Sequence, residues 1–150
     1  MTSTHFTDSK PAGARLATLA VIMMACTPAT SPSTIPAGAV SYHPPADYQT
    51  WWERTEACAG LQGNFAGISW YIVPGADHMD TEIGQKVGLW QRDNGHSTIT
   101  IAGNYRDSEL VVRHEMLHDL LSRAGHPEEY FVDRCGLTWD SWHPQADLGQ

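Results

Sequence analysis

His114, Glu115 and His118, within VVRHEMLHDLL (Val111 to Leu121), are the residues of this chain whose types and spacing best suit chemistry. Two histidines four apart on a helix lie on one face about one turn apart, so two neutral imidazoles can reach a single cation. Glu115 is rotated by about 100° from His114, too far to share that histidine's direction but close enough to reach a water on the ion. Zinc lowers the pKa of its bound water towards about 7, and a neighbouring carboxylate can then take the proton. Five residues therefore provide two ligands and a general base for metal-assisted hydrolysis. With eight histidines and seven glutamates in the chain, a random shuffle produces this spacing in roughly one attempt in fifty. The competing interpretation is two core or surface histidines satisfied by ordinary hydrogen bonds.

A zinc site of this kind needs a third protein ligand. His126, just after Gly125, offers the right donor type. A helix running on to Ala124 would carry the chain roughly 10 Å past the metal face. His126 can therefore coordinate only if the helix stops near Leu121 and the SRAG segment folds back. Glu128, Glu129, Asp133 and His143 are the alternatives, and His126 could instead cap the helix end against its dipole. Asp119 is either an outer partner that orients an imidazole or a solvated acid. Tyr105, Tyr130 and His143 are candidate donors to a tetrahedral oxyanion, although packing or surface roles account for each of them as well.

The elements that must position these residues are legible in the folded part, expected from Ala46 onward. ADYQTWWERTEACAGL has apolar residues near helical period, with Tyr48, Trp51, Trp52 and Cys58 on the stripe. GISWYIVPG (Gly67 to Gly75) is a β-branched and aromatic run closed by Pro-Gly, hence a strand. GADHMDTEIGQK reads as a polar connection. Val87 to Arg92 and Ser97 to Ala102 flank Asn94-Gly95, the signature of a hairpin. Asp107 is the expected N-cap of a helix from Ser108 to about Ala124, with Glu109 in its first turn. Two apolar stripes, Leu110/Leu117/Leu121/Ala124 and Val112/Met116/Leu120, imply a helix largely buried. Gly125 and Pro127 end it, and a short helix or turn follows around Glu128 to Arg134.

The N-terminus has the shape of an export signal. Lys10 and Arg15 flank the start of LATLAVIMMA (Leu16 to Ala25), an uncharged run too short to span a bilayer permanently. Residues 1–25 are expected to be a signal peptide. Cys26 stands where a bacterial lipoprotein signal places its acylated cysteine, with Ala25 in the usual place and Met23 in place of the usual leucine. An ordinary signal cleaved elsewhere is the alternative. Residues 26–45, rich in Pro, Ser, Thr and Ala, read as a flexible tether to a folded domain at 46–150. With Cys26 assigned to lipid, Cys58 and Cys135 remain as a disulfide pair, which export permits and which would contribute about 4 kcal/mol. Neither has a Cys or His neighbour at structural-zinc spacing. The net charge of −8 comes without any basic patch, which excludes nucleic acid as a partner.

HEMLH in this setting resembles the active-site helix of the zincin superfamily of zinc metalloproteases, over the stretch from Ser97 to Gly125. The resemblance implies a compact α+β zincin-like domain, in which a small antiparallel or mixed sheet packs on the active-site helix and an N-terminal helix. It implies zinc held by His114 and His118, with Glu115 as base and proton shuttle. It also implies that STITIA (Ser97 to Ala102) or its hairpin partner lies along a cleft and pairs with extended substrate. A metzincin would carry Gly and His where Leu121 and Ala124 stand, and would have a methionine beyond Met116. A gluzincin takes a glutamate from a second helix, usually further downstream than Glu128 and Glu129. The expectation is thus a compact, divergent zincin: a zinc-dependent peptide-bond hydrolase, anchored to the cell envelope by lipid, monomeric, acting on a peptide or protein. A non-catalytic zinc-binding module and a metal-dependent hydrolase of a cell-wall amide are the alternatives. A purely structural site has no use for the Glu115 carboxylate, which favours catalysis.

Overall fold

The β-branched and aromatic runs ISWYIV and HSTITIA pair with each other at the centre of the fold, and the helices cover the face that carries their apolar side chains. The structure, a computed structural model, describes residues 35–143. The signal segment 1–25 and Cys26 lie outside the described residues. The described part contains β1 (Val40–Ser41), helix α1 (Ala46–Ala59), β2 (Ile68–Val73), β3 (Met79–Thr81), β4 (Gly84–Lys86), β5 (Gly88–Asp93), β6 (His96–Ala102) and helix α2 (Glu109–Leu121). A six-residue π-type segment, Glu129–Arg134, follows. The fold is α+β. One sheet has the order β1-β2-β6-β5, and β3 and β4 form a separate hairpin. The main sheet is mixed, since β2 and β6 run parallel while β1 on β2 and β5 on β6 are antiparallel.

Period-two alternation sorts the side chains of this sheet. Trp70 lies opposite Ile99, Ile72 opposite Ile101, and on the other side of β6 Trp90 opposite Ile99 and Gly88 opposite Ile101. Ile68, Trp70, Ile99 and Ile101 join Tyr48 and Trp52 of α1 and Val111, Val112 and Met116 of α2 in one cluster. Each such side chain taken fully from water contributes about 1.5–3 kcal/mol. Asn94 and Gly95, both at positive φ, form the two-residue turn between β5 and β6 that the Asn-Gly pair foretells.

Several boundaries differ from the sequence expectation. The folded part begins before Ala46: Val40 and Ser41 pair with Ile72 and Tyr71, and the Tyr42 amide donates to the Trp70 carbonyl at 2.8 Å. Backbone pairing needs no apolar composition, so the Pro/Ala-rich segment concealed a strand. The polar connection GADHMDTEIGQK contains the β3–β4 hairpin, whose register places Met79, almost wholly buried, opposite Lys86. Helix α2 is capped at Ser108 in place of Asp107 and ends at Leu121, well before Ala124.

Beyond its core packing, α1 is tied to the rest by a buried arginine and by a disulfide, among other contacts. Arg113, 4 % exposed, donates from Nε to Thr55 Oγ1 at 3.0 Å and from Nη1 to Glu109 Oε1 at 2.9 Å. Burial lowers the pKa of its guanidinium, and the Glu109 carboxylate opposes that shift. Cys58 of α1 is joined by a disulfide to Cys135, 77 residues away and just past the π-type segment. Closing a loop of that length restricts the unfolded chain by about 4 kcal/mol. Replacing both cysteines by alanine should lower unfolding free energy by about that amount, read from urea denaturation under oxidising conditions. A loss below about 1 kcal/mol would show that the bridge does not constrain the chain in this way.

Candidate metal centre

The early end of α2 creates the site. Ser122 adopts a left-handed conformation, φ 51 and ψ 39, and its amide bonds back to the Asp119 carbonyl at 3.0 Å. The Arg123 amide reaches the His118 carbonyl at 3.2 Å. A left-handed serine costs about 1 kcal/mol relative to glycine, and here it turns SRAG back along the helix. His126 consequently arrives beside the two helical histidines. Its Nε2 lies 3.0 Å from His114 Nε2 and 3.2 Å from His118 Nε2. Nitrogens around a tetrahedral ion with bonds of about 2.0–2.1 Å are separated by roughly 3.3 Å. His114, His118 and His126 could hold a metal ion, and among the described residues they are the one such group. Glu128, Glu129, Asp133 and His143 fall outside it; Glu129 instead pairs with Arg134 at 2.7 Å.

The outer nitrogens decide which protonation state faces inward. His114 Nδ1 is 2.7 Å from the Leu137 carbonyl and His118 Nδ1 is 2.8 Å from the Arg123 carbonyl. A carbonyl only accepts, so both Nδ1 atoms carry the proton and both Nε2 atoms present lone pairs to the centre. Burial lowers the pKa of all three imidazoles, that of His118 to about 4. The triad is therefore neutral at neutral pH, which is the ligand form. Beneath it sits Phe131, fully buried, its ring centroid 4.8 Å from each of the three imidazoles.

Glu115 faces the sheet side of the same centre. It is 6 % exposed, and burial pushes its pKa from 4.5 up to about 8, with the Trp90 backbone and the Lys86 charge acting in the opposite direction. The carboxylate fits because residue 88 is glycine: a Cβ there would lie 2.5 Å from Glu115 Oε1 and 2.7 Å from its Cγ. Trp90, two residues on and on the same face of β5, donates its indole N–H to Asp119 Oδ1 at 3.0 Å and stacks on the His118 ring. Asp119 is thus buried and accepts from Trp90, whose indole in turn stacks on His118. A cleft of about 540 Å³ opens over Glu115 and the triad, walled by β5 on one side and by Leu110, Val111 and Leu137 on the other.

No family model, curated protein or solved structure matches this chain. The chemistry open to the site follows from its own residues. Tyr105, Tyr130 and His143 do not line the cleft; Tyr105 packs on Trp139 and Tyr130 under Arg134. Strand β6 lies between β2 and β5, so Ser97 to Ala102 present no open edge, and β5 is the edge strand along the cleft. Sequence reasoning missed Lys86, Gly88, Trp90, Phe131 and the Leu137 carbonyl. A signal existed for two of them, since period-two alternation in a strand beside the motif helix aligns residues 88 and 90. None existed for Phe131 or Leu137.

Gly88→Ala should force the Glu115 side chain out of its place and lower stability by about 1–3 kcal/mol through overpacking. The three imidazoles should still bind zinc. Urea denaturation and a zinc titration check this, and wild-type stability in the variant would contradict the close packing of Glu115 on β5.

Proposed function

We propose that this domain is a zinc-dependent peptide-bond hydrolase of zincin type, with His114, His118 and His126 as metal ligands and Glu115 as general base. The observation that carries the reading is the convergence of three neutral Nε2 atoms beside a buried carboxylate at the floor of an open cleft. Three imidazoles suit zinc among the ions available to an exported protein, whereas calcium and magnesium prefer oxygen. A set of three protein ligands leaves a position open, as catalytic zinc sites do and closed structural ones do not.

When bound, the ion would supply Lewis-acid polarisation and acidify a water molecule. The chain's own residues do the rest. The Glu115 carboxylate accepts the proton of the attacking water and delivers it to the amine nitrogen as the C–N bond breaks. Burial raises the proton affinity of that group, and the charge of a bound ion would lower it again, which would keep the carboxylate ionised to act as base near neutral pH. The carbonyls of Leu137 and Arg123 hold two ligand rings in one orientation and keep their lone pairs inward. The free edge of β5 offers backbone donors and acceptors to an extended peptide. A lipid anchor at Cys26 belongs to the same reading, and the Cys58–Cys135 bridge is compatible with an oxidising compartment.

Metal analysis of the purified protein should find one zinc per chain. His114→Ala and His126→Ala should each weaken zinc binding by at least about 100-fold, and full zinc retention in both would rule out the proposed ligand set. Digestion of a peptide library should be about 100- to 10,000-fold slower with Glu115→Gln than with wild type. Equal cleavage by the two would remove Glu115 from its assigned role.

A further inference from the structure

Lys86 is the one lysine in the chain beyond residue 10, and it stands in the wall of the cleft, half-buried, at the end of β4. Arginine is the cation elsewhere in the described part, and most of these arginines have partners. Arg54 and Arg113 share Glu109, Arg106 pairs with Asp107, Arg134 pairs with Glu129, and Arg92 donates to the Ser122 hydroxyl. Lys86 has no carboxylate within ion-pair distance among the described residues. It nevertheless shares the cleft with Glu115 and His126.

A half-buried lysine lays its stem along apolar surface and keeps its ammonium accessible, here without a carboxylate partner and so open to a ligand's. The charge count of the cleft points the same way. Its imidazoles are neutral, and Glu115 is the one acid among its lining residues. A divalent ion together with Lys86 would therefore leave the pocket at least two charges positive, in a chain whose net charge is −8. The accessible remainder of the lining is mostly apolar: the half-buried Val87 just before β5 and Leu89 and Trp90 within it, and Ile83 and Trp139 at the mouth, 71 % and 67 % exposed. An apolar pocket with one fixed cation fits an apolar segment bearing one carboxylate.

We propose that Lys86 is a specificity residue that selects peptides presenting a carboxylate, from an acidic side chain or a free chain end, beside apolar residues in the cleft. This rests on the reading that the cleft binds peptides. The ammonium forms a charge-assisted hydrogen bond to that carboxylate, while the ligand's apolar side chains cover Ile83, Trp139 and the half-buried Leu89 and Trp90.

The test uses the zinc-loaded full-length protein carrying Glu115→Gln, which separates binding from turnover. Three peptides with one apolar core are titrated, following the fluorescence of the cleft tryptophans. The first is capped at both ends with an internal Glu, the second has Gln in its place, and the third is the Gln peptide with a free C-terminus. The expected result is about tenfold tighter binding of one carboxylate peptide over the capped Gln peptide, shrinking as salt is raised. Which of the two carboxylate peptides gains identifies the source of the group. Adding Lys86→Gln should abolish the difference with zinc content unchanged, and Lys86→Glu should reverse it in favour of a Lys-containing peptide. Equal binding of all three peptides, no binding of any, or a preference that survives Lys86→Gln overturns the proposal. So does a Lys86→Gln loss confined to kcat and equal for the Glu and Gln peptides. Carboxylate-dependent binding without hydrolysis by wild type would remove the hydrolase reading and leave Lys86 in its role. Hydrolysis without charge preference would do the reverse.

Discussion

The hydrogen bond from His118 Nδ1 to the Arg123 carbonyl, 2.8 Å long, is the contact on which the arrangement of the site depends. It exists only because α2 stops at Leu121 and Ser122 turns the chain back. One bond thereby does two things. It holds the His118 ring in the tautomer that presents Nε2 inward, and it ties down the reversed segment that brings His126 into reach. The Leu137 carbonyl does the equivalent for His114 from the other side, through a segment secured two residues earlier by Cys135. A helix continued to Ala124 would have lost both the third imidazole and the orientation of the second.

The other half of the site comes from strand geometry. Because β5 alternates, Gly88 and Trp90 both face α2, and they act differently. Residue 88 contributes room, allowing a carboxylate to lie against backbone; residue 90 contributes an indole that bridges Asp119 and the face of His118. The carboxylate is consequently held largely buried on one side of the triad, at the floor of the cleft. Desolvation of Glu115 is tolerable here because the Trp90 backbone and the Lys86 charge offset part of it.

How much of this was legible beforehand depended on the range of the interactions. Strands β2, β5 and β6, the Asn94-Gly95 turn and the buried motif helix follow from local periodicity, which survives without tertiary context. The short β3–β4 hairpin lies instead in a stretch whose polar composition reads as a connection. The fate of His126 could be posed only as a condition, because a left-handed serine leaves no composition signal and Gly125 marks a later, more conventional stop. The β1 strand was hidden in a Pro/Ala-rich segment since its pairing is through backbone atoms. Phe131 and the Leu137 carbonyl were invisible for another reason. Their role depends on a chain segment brought under α2 by a contact between residues 77 apart, and no window of sequence holds both partners.

Phe131 closes the underside of the three imidazoles with a ring that has no polar atom. The triad therefore opens towards the cleft and not into the core. If the cleft takes a peptide as proposed, the ion and the peptide would approach from the same side, and the ion would have to be seated first. A seated peptide would then act as a stopper, and a chelator should strip the centre more slowly when the cleft is filled than when it stands empty.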